Sequence, residues 1–315
     1  MHDLANLRDK IALAKKHAPE LVAGYNEDLR LAERQNAREA ALPAPRPFVK
    51  WVGGKGRQLD ALRPLRPKKF GRYFEPFLGG GAMFWDLLPD YAWLNDLNTE
   101  LIDSYVGIRL DVERVIRMLR YHRRAHSKEH YAFIRKKKRT WQGEEWIAAR
   151  LIYLNKTCFN GLYRVNQKGL FNAPMGDYAA PKICDAQNLR ACARVLAKDD
   201  DIELSSVDYK AVLDKAERGD FVYFDPPYVP MSPTASFAAY TPGGFGEKEH
   251  KELAEVFQEL ADDGVHVMLS NSDTPLVRKL YEDYPVKKLW RPGTVSSDPN
   301  GRGRVREIVV RSGTW

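Results

Sequence analysis

The residues best suited to chemistry are Asp225-Pro226-Pro227-Tyr228, which follow the apolar run Phe221-Val222-Tyr223-Phe224. Two prolines hold the backbone extended and remove two N–H donors. Carbonyls and the Asp225 carboxylate are then left as acceptors, an arrangement that suits an amino group with its two hydrogens. Tyr228 adds a flat apolar face on which a base can stack. The plainer reading is a strand-terminal turn with an ordinary buried tyrosine. A second cluster, Gly79-Gly80-Gly81, is the kind of turn in which backbone approaches a ligand closely. It lacks the Gly-Lys-Ser/Thr ending of a phosphate-binding loop, and Gly54-Lys55-Gly56 does not supply one. Asp96 stands 17 residues beyond Gly79. There it can accept hydrogen bonds from a ribose diol, or it simply caps the helix that follows.

These residues need a scaffold, and the hydrophobic pattern supplies one. Residues 72–77 read as a strand, Gly79-Gly80-Gly81 as a turn, 82–88 as a helix, and 91–96 as the next strand. Residues 97–150 are mostly helical, and 157–178, rich in Asn, Gly and aromatics, read as loops or a hairpin. The strand at 221–224 is followed by a helix at 247–262 and strands at 265–270 and 307–310. Strands alternating with helices predict an α/β fold built on a mainly parallel sheet. Ahead of this, residues 1–41 are helical by the spacing of Leu4, Leu7, Ile11 and Ala14, and Pro43, Pro45 and Pro47 stiffen a linker.

Charge is unevenly placed. The chain of 315 residues carries a net +8, while residues 109–139 alone hold twelve Lys/Arg against three Asp/Glu. Such a stretch is the footprint expected for a polyanion partner, although a solvated helix face is the plainer alternative. Residues 1–46 hold eight Lys/Arg and seven Asp/Glu, which argues against a basic nucleic-acid arm. No apolar run is long enough to span a bilayer, and the N-terminus lacks a secretory apolar core. Cys158, Cys184 and Cys192 are an odd, sparse set and point to reduced thiols. His122, His126 and His130 share helical spacing but sit among cations, so no metal is expected there.

Across residues 48–310 the sequence resembles the Dam-type (class alpha) DNA adenine-N6 methyltransferases. Seven collinear blocks carry the resemblance. They are Phe48-Val49-Lys50-Trp51-Val52-Gly53-Gly54-Lys55, Phe74-Glu75-Pro76-Phe77-Leu78-Gly79-Gly80-Gly81, Asn95-Asp96-Leu97-Asn98, Leu154-Asn155-Lys156 with Phe159-Asn160-Gly161-Leu162-Tyr163-Arg164, Phe171-Asn172-Ala173-Pro174-Met175-Gly176, Asp225-Pro226-Pro227-Tyr228, and Ser270-Asn271-Ser272-Asp273.

The resemblance implies a Rossmann-like S-adenosylmethionine-dependent sheet with an inserted helical and hairpin target-recognition domain. The division would be an extension at 1–47, a catalytic core at 48–106 and 186–315, and a recognition domain at 107–185. Trp51, Lys55, Asp96 and Asp225 would contact S-adenosylmethionine, while Glu75, Phe77 and Gly79 would shape its pocket. Asp225 and the Pro226 carbonyl would accept from adenine N6, and Tyr228 would stack on the base, which must leave the duplex to be reached. Arg164 would read guanine, Asn160 and Leu162 would contact neighbouring bases, and Phe159 would wedge where the target base leaves, in GATC or a related site. The alternative for this hairpin is a structural role with Arg164 on phosphate. Lys136, Lys137 and Lys138 would meet phosphates. The segment departs from GATC-specific members at Asp177, where a basic residue is expected.

The expected activity is thus site-specific methylation of adenine in double-stranded DNA. The expected setting is the cytoplasm of a bacterial or phage-infected cell, with no membrane and no obligatory protein partner. A cytosine-C5 enzyme would need a Pro-Cys nucleophile, and Thr157, Ile183 and Ala191 precede the three cysteines instead. Cytosine-N4 methylation, which typically has Ser in place of Asp225, stays open. So do RNA adenine methylation and a DNA-binding module on an inactive fold, although the last predicts eroded motifs.

Overall fold

The computed structural model describes residues 4–18, 21–137, 143–166, 168–198, 201–230, 245–292 and 304–315. Helices α1 (Leu4–His17) and α2 (Val22–Ala40) pair as a hairpin, with Ile11 and Ala14 buried and Arg8 bridged to Glu33. Extended chain then leads into the core through Phe48 and Val49, both buried. After α3 (Leu59–Leu62) come β1 (Tyr73–Glu75), α4 (Ala82–Leu87) and β2 (Ala92–Asn95). The long α5 (Thr99–Ala125), α6 (Lys128–Lys136), α7 (Glu144–Thr157) and α8 (Ala186–Leu196) precede β3 (Ile202–Ser205) and β4 (Phe221–Phe224). The chain closes with α9 (Glu247–Asp262), β5 (His266–Ser272), α10 (Pro275–Leu280), β6 (Val286–Pro292) and β7 (Arg304–Arg311).

Among the described residues the strands form one seven-stranded sheet in the order β3-β2-β1-β4-β5-β7-β6. The first five are parallel, and β7 runs antiparallel to both β5 and β6. Along β4, Phe221 and Tyr223 face one hydrophobic cluster while Val222 and Phe224 face the other. Both faces of the sheet are covered, so the strand needs apolar residues at every position, which is why its sequence is an unbroken apolar run.

Strand order reverses at β1. The chain leaves β1 toward β2 on one side, and β4 returns to lie on its other side. A crevice opens at the carboxyl ends of two adjacent parallel strands at such a switch point. The glycine turn follows β1 and Asp225 follows β4, so the topology itself brings the two motifs together.

The expected α/β fold is present, with two strands beyond those read from the sequence, β3 and β6. The 106/107 boundary falls inside α5. One hydrophobic cluster runs from Tyr73 and Leu94 of the sheet through Ile116 of α5 and Ala148 of α7 to Tyr163 and Phe171. The middle segment thus shares its core with the sheet. No helix of the described residues is long and apolar enough to cross a membrane.

Candidate active site

The glycine turn is shaped by a tryptophan. Gly79 has φ +51°, and a Cβ placed there would lie 2.6 Å from Cδ1 of Trp51. Any other residue would be strained in backbone and would displace the indole. Gly81 also has positive φ, and its Cβ would meet the Tyr105 hydroxyl at 2.8 Å. Asp96, just past β2, accepts the Gly79 N–H at 2.9 Å through one oxygen and the Asn98 N–H at 2.9 Å through the other. Asp96 thus ties the glycine turn to the chain entering α5. The cap of α5 itself is Asn98, whose side chain accepts from Leu101. Burial pushes the Asp96 carboxyl above its usual range, opposed by those two N–H donors.

Lys55 reaches the other motif. Its side chain is buried, and its Nζ lies 2.5 and 2.6 Å from the two Asp225 oxygens and 2.7 Å from the Gly53 carbonyl. Burial raises the Asp225 carboxyl, and the Lys55 ammonium pulls it back. The same ammonium lies over the Tyr228 ring, 4.9 Å from its centroid. Beneath, Glu75 is buried with Oε2 accepting from the Tyr73 hydroxyl at 2.9 Å and the Phe84 N–H at 3.2 Å. Burial lifts the Glu75 carboxyl to about 8. Phe77 packs edgewise against Phe245 and beside Tyr209, with ring centroids 5.7 and 5.1 Å away.

Two β5 residues hold the chain beyond Tyr228. Asn271 Oδ1 accepts the Val229 N–H at 3.2 Å, and the Ser272 hydroxyl donates to the Val229 carbonyl at 2.8 Å. Glu307 on β7 accepts from the Gln58 amide at 2.8 Å and from the Tyr228 hydroxyl at 3.3 Å. No motif marks Gln58 in the sequence. The signal for Glu307 was a carboxylate heading the apolar run Ile308-Val309-Val310.

The segment 158–176 folds back on itself as an irregular hairpin, with bridges Cys158–Met175 and Val165–Phe171. Phe159, Asn160 and Arg164 are exposed and Leu162 is half-buried. Asn160 has φ +55°, in the left-handed region that asparagine tolerates better than most residues. Arg164 donates from Nε to Asn172 Oδ1 at 2.7 Å and from Nη2 to the Asn172 carbonyl at 3.2 Å. The guanidinium is thus oriented from across the hairpin.

Three links tie the hairpin to the rest of the site. Tyr163 stacks on Trp51 with centroids 5.2 Å apart, and its hydroxyl donates to Glu100 at 2.9 Å. Glu100 is itself paired with buried Arg150. Removing either partner of such a buried pair typically costs about 3–5 kcal/mol. Asn155 joins the Lys50 backbone to the Gly161 carbonyl.

The basic stretch lies along α5 and α6. Tyr131 and Arg135 of α6 donate to the Ala173 carbonyl of the hairpin at 2.9 and 3.3 Å. Lys136 and Lys137 follow directly: Lys136 is exposed, and Lys137 lies over Phe133 at 4.3 Å. Lys138 lies outside the described residues. His122 Nδ1 is 2.9 Å from His130 Nε2, and His126 Nδ1 is 3.0 Å from the Tyr153 hydroxyl.

A nucleoside-bearing cofactor fits the chemistry at the switch point. The turn after β1 has no room for a Cβ at Gly79 or Gly81, where Trp51 and Tyr105 pack against it, so its backbone there carries no side chain. The Asp96 carboxylate stands beside it as an acceptor. The Asp96 N–H donates to the Ser205 carbonyl at 3.3 Å, and the next side chain, Ser206, has a buried hydroxyl with no partner among the described residues.

Comparison with known proteins gives the family. Residues 51–294 match the profile of a family described as D12 class N6 adenine-specific DNA methyltransferase. The chain is 41% identical over 269 residues to the type II methyltransferase M1.LlaDCHI of Lactococcus lactis subsp. cremoris, covering 84% of this chain and 94% of that protein. It is 37% identical over 264 residues to the type II methyltransferase M.MjaIII of Methanocaldococcus jannaschii, covering 78% and 90%. It is 32% identical over 268 residues to a DNA adenine methylase of Serratia marcescens, covering 84% and 97%.

Proposed function

The chain belongs to the D12 class of N6 adenine-specific DNA methyltransferases, and from that premise we propose how its residues divide the work. The methyl donor is S-adenosylmethionine and the acceptor is the N6 of an adenine turned out of double-stranded DNA. The observation that carries this reading is the Asp225 carboxylate, held by buried Lys55 beside the glycine turn at the switch point.

S-adenosylmethionine, when bound, supplies an electrophilic methyl group on a sulfonium. Asp96 would hold its ribose hydroxyls, Trp51, Lys55 and Asp225 would also contact it, and Glu75, Phe77 and Gly79 would shape its pocket. The N6 lone pair of adenine is delocalised into the ring, which makes the amino group a poor nucleophile. Asp225 and the Pro226 carbonyl accept its two hydrogens and favour a pyramidal nitrogen. Each carboxylate oxygen has two acceptor sites, so Asp225 can hold Lys55 and the amino group together. Tyr228 stacks on the base. Rate then comes from positioning and preorganised electrostatics.

The segment 107–185 is the recognition unit and 48–106 with 186–315 the catalytic unit. Arg164, oriented by Asn172, donates to O6 and N7 of a guanine in the major groove. Asn160 and Leu162 contact flanking bases, Phe159 fills the place of the departed adenine, and Lys136, Lys137 and Lys138 meet phosphates. The site read is GATC or a close relative. Methylating a plasmid with labelled cofactor and mapping modified adenines at single-base resolution tests this. Modification at GATC is expected, and modified adenines lying only elsewhere reject the sequence assignment.

A further inference from the structure

The mechanism above uses Tyr228 as a stacking face but leaves open what sets the angle of its ring. Glu307 is in place to do so. It lies on β7 between two neighbours, opposite Ser272 of β5 and Leu289 of β6. Only 3% of the residue is exposed. One oxygen, Oε2, accepts from both the Tyr228 hydroxyl and the Gln58 amide. Gln58 is buried as well and stands three residues after Lys55.

A carboxylate placed in the interior without compensating donors is costly, so a buried one is met by hydrogen-bond donors or by cations. Here the donors come from the two segments that carry the chemistry. Gln58 belongs to the turn that delivers Lys55 to Asp225, and Tyr228 closes the motif that begins at Asp225. Tyr228 is held by Lys55 over its ring and, at its hydroxyl, by Glu307 and by a hydrogen bond to Asp225. A ring tethered at its far end cannot swing about its side-chain bonds. That is the condition for presenting one fixed face to a base entering from the duplex.

We propose that Glu307 is a positioning residue for methyl transfer, anchoring the Tyr228 hydroxyl and, through Gln58, registering the stacking ring against the Lys55–Asp225 pair. The inference rests on the reading of Tyr228 as the stacking face. It differs from a packing role for Glu307, because it requires that the tyrosine hydroxyl carry the same effect as the glutamate.

The experiment is steady-state methylation of a duplex oligonucleotide by the full chain, together with fluorescence of 2-aminopurine at the target adenine. The variants are Glu307→Leu, Glu307→Gln, Tyr228→Phe, Tyr228→Ala and the double variant Glu307→Leu with Tyr228→Phe. Glu307→Leu and Tyr228→Phe should each lower kcat by about tenfold, the size of one lost hydrogen bond to a charged group, and the pair together should be no worse than either alone. Both should blunt the fluorescence rise while leaving the KM for cofactor unchanged. Glu307→Gln, which still accepts, should restore most of kcat.

Multiplying losses in the double variant, or Tyr228→Phe with wild-type kcat, would overturn the tether. If Glu307→Leu does not fold, Glu307→Met, closer in shape, takes its place in the double-variant comparison, since Tyr228→Phe alone also removes the hydroxyl's contact with Asp225. Tyr228→Ala at the wild-type rate would overturn the stacking reading and the tether with it. Tyr228→Ala impaired beside fully active Tyr228→Phe would overturn the tether alone.

Discussion

Lys55 and Asp225 lie 170 residues apart in sequence, yet the lysine nitrogen sits within 2.5 and 2.6 Å of the two carboxylate oxygens. The contact joins the segment before β1 to the end of β4 and keeps a half-buried carboxylate available as an acceptor. Burial works to protonate Asp225 and Lys55 works against it. Asp225 is useful as an acceptor in its ionised form, so activity should fall as pH drops through its raised pKa. Lys55→Met keeps the apolar stem and removes the ammonium, so the Asp225 carboxyl should rise further. The acid limb of kcat/KM should then move to higher pH, read from methylation rates across a pH series. An unmoved limb would separate Lys55 from the protonation of Asp225.

Glu75 makes a prediction about stability. Its carboxyl is lifted to about 8 in the folded chain from an ordinary value of 4.5. Below the ordinary value both folded and unfolded forms hold the proton, and this group's stabilisation is full. Between the two values the unfolded chain releases the proton while the folded chain keeps it. Stability should therefore fall with rising pH across that window, by up to about 1.4 kcal/mol per pH unit from this one group. Glu75→Gln should flatten that slope in urea unfolding measured from pH 5 to 9. A variant with the wild-type slope would show that Glu75 is not the group responsible.

The strand that carries the catalytic motif was readable because both of its faces are buried, which forces the run 221–224 to be apolar throughout. Helix α9 matched residue for residue, since its amphipathic spacing is regular. The edge strand β6 was not readable. Lys287, Lys288 and Arg291 interrupt its apolar residues, the usual composition of an edge that must not pair with other chains. Asp225, Lys55, Asp96 and Gly79 could be named from the motif blocks, and the fold places them around one switch point. Glu307 heads an apolar run but could not be given a role from it, because its partners Gln58 and Tyr228 lie 249 and 79 residues away.

Arg164 is held by Asn172 through two hydrogen bonds and stays exposed. Arg164→Ala should methylate sites altered at one guanine nearly as well as intact sites, a loss of roughly 1–3 kcal/mol in discrimination. Asn172→Ala should lose part of the same discrimination by freeing the guanidinium. Competition between intact and altered duplexes measures both. Uniform weakening on every sequence would mark Arg164 as a phosphate contact instead.

Lys136 and Lys137 stand at the end of α6, next to the residues that bind the hairpin. Replacing both with Ala should weaken binding to all DNA alike. It should also reduce the slope of log K against log salt by about 0.9 for each phosphate contact removed. Fluorescence anisotropy over a salt series reads this directly, and an unchanged slope would place both side chains in solvent.

The central claim is that Asp225 accepts from adenine N6 while S-adenosylmethionine delivers its methyl group. Its most direct test is incubation of wild type and Asp225→Ala with duplex DNA and methyl-labelled S-adenosylmethionine, followed by digestion to nucleosides and separation of the labelled products. Wild type should yield N6-methyladenine, and Asp225→Ala, still folded by circular dichroism, should retain less than about a tenth of wild-type kcat, a barrier increase above ~1.4 kcal/mol. Label on cytosine, or a folded Asp225→Ala that keeps more than that tenth, would contradict the account.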